Sequence, residues 1–165
     1  MGLDEKHSAR YAEMLAPHVP EPVLAGGYVS AAGSAKAQAF QGSTMRAGGA
    51  GAIAKVVTSS IGAKLDHDNR DTARAVGFPP GAWLAVSAGR IYAFTSVKGQ
   101  VGEPIGSWPR ATTTVTMKRK AATTGVHLDL GSDDGPGGSV DLEARNWGAG
   151  SGALLRHLAD PTLGA

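Results

Sequence analysis

Residues 83–96 read WLAVSAGRIYAFTS, and the period of this stretch decides the fold. Trp83-Leu84-Ala85-Val86-Ser87 is a short apolar run and Ala88-Gly89 a two-residue turn. Arg90 to Ser96 then sets Ile91, Ala93 and Thr95 against Tyr92, Phe94 and Ser96. Successive side chains of a strand point to opposite faces, so the stretch predicts a β-hairpin. The same period continues downstream. Residues 104–110 carry Ile105 and Trp108, and residues 112–120 place Val115 and Met117 on one face with Thr114, Thr116 and Lys118 opposite. Residues 125–130 turn Val126, Leu128 and Leu130 inward and His127 and Asp129 outward; residues 139–145 repeat the pattern with Val140, Leu142 and Ala144. The intervening SDDGPGG is turn chemistry. From Ser151, a candidate N-cap, the period becomes helical, with Ala153, Leu154, Leu155 and Leu158 in one stripe before Pro161. Short antiparallel strands with one solvated face, followed by one amphipathic helix, predict a β-sandwich or open barrel closed by that helix.

Upstream the signals are weaker. Residues 4–16 predict a short helix from Leu3, Tyr11, Met14 and Leu15, ended by Pro17. Residues 21–30 (EPVLAGGYVS) predict a first strand weakened by its two glycines. Residues 31–80 are dominated by Gly, Ala and Ser, in a chain with 24 glycines among 165 residues, and are poorly equipped to build a core. Within them, residues 52–65 have helical spacing, and residues 68–76 a weaker version halted by Gly77, Pro79 and Pro80. The organisation expected is a helical lead at 1–20 and a single domain at 21–165, interrupted by a Gly/Ala-rich insertion at 31–80.

Composition narrows the function classes. A net charge of +2, from sixteen basic and fourteen acidic residues, supplies no clustered basic face for phosphate, so nucleic acid is not an expected partner. Without cysteine there is no disulfide and no thiolate metal site. The charged start, MGLDEK, has no apolar run of signal-peptide length, and no stretch offers the roughly 20 apolar residues of a spanning helix. A cytoplasmic protein is expected, with peripheral membrane contact as the other location.

Chemical motifs are few. Gly49-Ala50-Gly51-Ala52-Ile53-Ala54 fits the dinucleotide pattern G-x-G-x-x-G/A, but the preceding QAFQGSTMRA is no buried parallel strand, and chance in Gly/Ala-rich sequence explains the match. Lys118-Arg119-Lys120 is a basic run at a strand end, where only alternate side chains share a face. His127 and Asp129 share a face but make too few ligands for a metal. No nucleophile elbow or H-E-x-x-H is present. No enzyme activity and no cofactor are therefore expected.

The run Leu84-Ala85-Val86-Ser87-Ala88-Gly89-Arg90-Ile91-Tyr92-Ala93-Phe94 resembles the second and third strands of the pleckstrin-homology (PH) family, specifically the small bacterial PH-like domains. Trp108-Pro109-Arg110, the late strands and the terminal helix extend the resemblance to about residue 158. A Gly/Ala-rich half before such a domain is also similar to actinobacterial proteins. The resemblance implies a mainly β fold with α: a PH-like antiparallel sandwich or open barrel capped by a C-terminal helix. It brings no activity with it, because such folds are scaffolds of many functions. Phosphoinositide-binding members cluster basic residues around the first hairpin loop, whereas Lys36, Arg46, Lys55 and Lys64 are scattered here.

The insertion remains as the functional candidate. Ile53, Val56, Val57 and Ile61 are too apolar for a solvated linker, and the small residues between 47 and 62 permit close approach of a second surface. The expectation is a non-enzymatic interaction module that binds a protein or a membrane surface through these residues. The alternatives are a nucleotide-binding protein using residues 49–54 and a structural, self-assembling domain. A flexible linker, or a helix packed on its own domain, would leave the segment without such a role.

Overall fold

The hairpin forms as its period requires and lies inside one seven-stranded antiparallel sheet. A computed structural model describes residues 3–31, 78–130, 138–145 and 151–163. Helix α1 (Leu3–Leu15) comes first, then β1 (Ala25–Ala31), β2 (Gly81–Val86), β3 (Arg90–Val97), β4 (Gln100–Pro109), β5 (Thr114–Arg119), β6 (Thr123–Leu130) and β7 (Gly138–Arg145). Helix α2 (Ser151–Ala159) closes the order. The strand order is β4-β3-β2-β1-β7-β6-β5. Strand β1 pairs with β2 from Ala25↔Val86 to Ser30↔Gly81, but among the described residues meets β7 only at Ser30↔Glu143 and Ala31↔Leu142. The sheet thus bends into two halves that join at the end of β1, as in an open barrel or sandwich.

The core fills the inside of that bend. Val29, Ala82, Leu84, Val86, Ile91 and Trp108 from one half meet Val126, Leu128, Val140 and Leu142 from the other, with Leu154 and Leu158 of α2 across them. Period two selects these residues. In β5–β7 it also gives the solvated face expected: Leu128 and Val140 are fully buried while Asp129 and Asp141 are exposed.

Strands β2 and β3 differ from the expected one-sided pattern. Trp83, Ala85, Tyr92 and Phe94 point away from the core, yet they are buried too. Their cover is α1 and the turn after it, where Tyr11, Met14, Leu15 and Val19 pack against them in a second apolar cluster. The Tyr11 and Trp83 rings lie 5.0 Å apart, and Tyr28 meets Trp83 edge-on at 5.3 Å. A helix read from weak periodicity therefore buries a sheet face that the strand pattern alone leaves to solvent.

Two glycines set the spacing. A Cβ at Gly26 would collide with Leu15 and lie 3.3 Å from the Tyr11 carbonyl oxygen, so the missing side chain lets α1 seat closely on β1. A Cβ at Gly27, on the other face, would stand 2.9 Å from Leu154 of α2. Strand β4 starts at residue 100, earlier than its apolar pattern indicates, because Lys98-Gly99 forms a tight hairpin with φ of 52° and 79°.

Leu154 is fully buried at the contact of α2 with the sheet. Leu154→Ala is expected to destabilise the chain by about 2–5 kcal/mol, the range for an emptied buried leucine site. Chemical denaturation measures it, and a loss under about 0.5 kcal/mol would mean α2 is not a core element.

Candidate functional site

Ile53, Val56, Val57 and Ile61, the residues singled out from the sequence, lie outside the described residues, as does the glycine pattern at 49–54. What the structure does place is the base from which they depart. Strands β1 and β2 remain paired to the last residue, and beyond Ser30↔Gly81 the Ala31 N–H donates to the Pro80 carbonyl at 2.9 Å. Phe78, just before this base, is fully buried, with its ring stacked on Trp108 at 5.7 Å. The returning chain is therefore pinned in the core. Sequence reasoning missed Phe78 because a lone aromatic before two prolines has no periodic neighbours.

The opposite end of the barrel is fastened by Arg110, a residue buried to within 8% of its surface. Its Nη1 donates to the carbonyls of Ser87 (3.1 Å) and Ala88 (3.4 Å) in the β2–β3 turn. Its Nη2 donates to the carbonyls of His157 and, at 2.9 Å, Asp160, where α2 ends. Its own N–H reaches the Gly89 carbonyl at 2.8 Å. The last carbonyls of a helix lack intrahelical donors and carry the negative end of its dipole, so a cation there is favourable. Burial lowers the guanidinium below its ordinary value, and the Asp160 charge opposes that shift. These bonds commit Arg110 to holding the turn and the helix together.

Glu21 braces the same turn. It accepts from Ser87 Oγ, which in turn accepts from the Arg90 N–H at 3.0 Å. Burial first, and the neighbouring Glu21 carboxylate second, raise the Tyr92 phenol above its ordinary value.

An open cleft of about 170 Å³ lies beside Arg110, between the start of β5 and the end of α2. Ile91, Thr113, Val115, Leu158 and Pro161 line it. On the outer face of β5–β7, His127 Nδ1 sits 2.7 Å from Asp141 Oδ1, both side chains well exposed. Among the described residues no group of three His, Asp or Glu side chains converges as a metal site would require. Of the basic run, Lys120 pairs with the buried Glu143 at 2.9 Å, while Lys118 and Arg119 stand exposed at the end of β5. Among the described residues no helix is long and apolar enough to cross a membrane.

No family model of known proteins matches the chain, and no curated protein matches it.

Two outcomes follow from this end of the barrel. Arg110→Met strands several buried carbonyls and is expected to cost on the order of 2–4 kcal/mol in chemical denaturation. Arg110→Lys should recover only part of that, because one ammonium cannot span both the turn and the helix. For Tyr92, a raised folded value means stability fully present below the ordinary phenol range and lost as pH rises through the raised one. Urea midpoints should therefore fall above about pH 10, and less steeply in Tyr92→Phe.

Proposed function

We propose that the chain is a non-enzymatic interaction module in which the β domain is the scaffold and the insertion is the binding element. One observation carries this reading. The Ala31 N–H to Pro80 C=O bond carries the β1–β2 pairing to residues 31 and 80, and Phe78 is buried against Trp108, so the chain on both sides of the insertion is anchored in the β domain. A glycine-rich insertion is a poor way to stabilise a small barrel, since glycine loses more conformational freedom on folding than any other residue. Its apolar residues Ile53, Val56, Val57 and Ile61 then have their use in association. A protein partner, including a second copy, is the ligand class in view, and a membrane surface is the competing one.

Deleting residues 47–65 is expected to leave the cooperative unfolding of the β domain intact and to abolish association of the full chain. Light scattering across a wide concentration range reads self-association, and co-flotation with anionic liposomes reads membrane contact. A full chain that stays monomeric, ignores liposomes and loses its cooperative transition on deletion would overturn the proposal. The segment would then be a packing element of its own domain.

A further inference from the structure

Helix α1 reaches the sheet through a hinge, and the two sides of that hinge are held differently. From Glu21 onward the chain is fastened. Glu21 accepts from Ser87 Oγ, and the Leu24 N–H donates to the Val86 carbonyl at 2.8 Å. Before Glu21, Ala16–His18 makes one 3₁₀ turn, closed by a long bond from the Val19 N–H to the Ala16 carbonyl at 3.3 Å. Val19 itself is extended, with φ of −119° and ψ of 130°. Pro17 and Pro20 are exposed and carry no N–H, and each turns the residue before it toward extended backbone. The intrinsic preference of residues 16–20 is thus for a straighter chain than the closed turn, and straightening swings α1 away from its own sheet.

The helix contributes little that would hold it in place alone. Its 13 residues are too few for a stable isolated helix, and among its described side chains only Ser8 and Leu15 are buried. What it covers is large, because Trp83, Ala85, Tyr92 and Phe94 all lose their cover when it leaves. An apolar face of that kind does not stay bare in water. Its shape is also specific. The bare backbone at Gly26 receives Leu15 and the Tyr11 backbone, and the Tyr11 ring lies 5.0 Å from that of Trp83.

From this placement we infer that α1 is exchangeable between copies of the chain: residues 16–20 extend, and α1 of each copy seats on the outer face of β1–β3 of the other. The notch at Gly26 selects this occupant. The α1 of a second copy makes every contact that the chain's own α1 makes, so the exchange needs no new surface. The exchanged pair also gains a hinge in the backbone conformation that its prolines favour. The inference goes beyond the role given to the insertion and uses a separate surface.

The experiment uses the full chain. Sedimentation from micromolar to millimolar concentration reads dimer formation. Isotope-filtered NMR on an equilibrated mixture of labelled and unlabelled chain reads its geometry. Expected is a dimer with contacts between Tyr11 of one copy and Trp83 of the other, at the 5.0 Å ring separation seen within the single chain. In Pro17→Ala, which lets Ala16 take helical backbone freely, the dimer should weaken by at least about ten-fold while unfolding stays cooperative. The chain lacking residues 47–65 should still exchange α1, so this inference and the role of the insertion fail separately. A strictly monomeric chain, a dimer whose Tyr11–Trp83 contacts all stay within one copy, or undiminished dimerisation of Pro17→Ala would each overturn the inference. A dimer lost on deleting residues 47–65 would also overturn it while supporting the insertion as the contact surface.

Discussion

Strand β1 is the structural constraint on which the rest depends, because two helices reach it at adjacent residues from opposite sides. Gly26 admits α1 and Gly27 admits Leu154 of α2. Each helix covers a separate apolar cluster, the outer one around Trp83 and Phe94 and the inner one around Leu84 and Trp108. A side chain at Gly26 would press on Leu15 and the Tyr11 backbone, and one at Gly27 on the Leu154 side chain, so either would disturb how closely a helix seats on the sheet. Burying both faces of β1–β3 matters for a chain this size, since small domains bury a smaller fraction of their surface and depend on each apolar contact.

The two ends of the barrel have different characters for reasons visible in their bonds. At one end Arg110 joins the β2–β3 turn to the end of α2 through four carbonyl oxygens, and Glu21 braces the same turn from outside. That end is fully committed to structure. At the other, β1 and β2 carry the insertion from a closed hairpin base, with Phe78 held against Trp108. Under the proposed function, the fastened end holds the domain together and the other end is where the insertion joins it.

Much of this was legible in the residues. Period two gave the inward set of β6 and β7, and period 3.6 gave α2 with Leu154 and Leu158. What escaped were contacts between segments distant in sequence. Gly26 and Gly27 looked like weakness in a strand, because propensity counts what glycine lacks and not what its absence of a side chain lets in. The alternation of β3 set Tyr92 and Phe94 against Ile91 and Ala93 without showing that both sets are buried, because nothing local announces that α1 folds back over the outer one. Arg110 entered only within the Trp108-Pro109-Arg110 step, and its partners at residues 87–88 and 157–160 are too distant in sequence to be read from it. The residues chosen for the functional segment fall outside the described structure, so the insertion stands on its composition and on the geometry of its base.

The claim that most needs testing is that the scaffold is closed beneath the insertion. Native-state hydrogen exchange at the Ala31 amide tests it directly, because that N–H, in the last residue of β1, donates to the carbonyl of Pro80. The account predicts protection at Ala31 comparable to the centre of β2, with exchange only through global unfolding. Exchange at the rate of an unstructured amide, with β2 still protected, would show that the hairpin frays at its base and that the insertion is not carried on a closed scaffold.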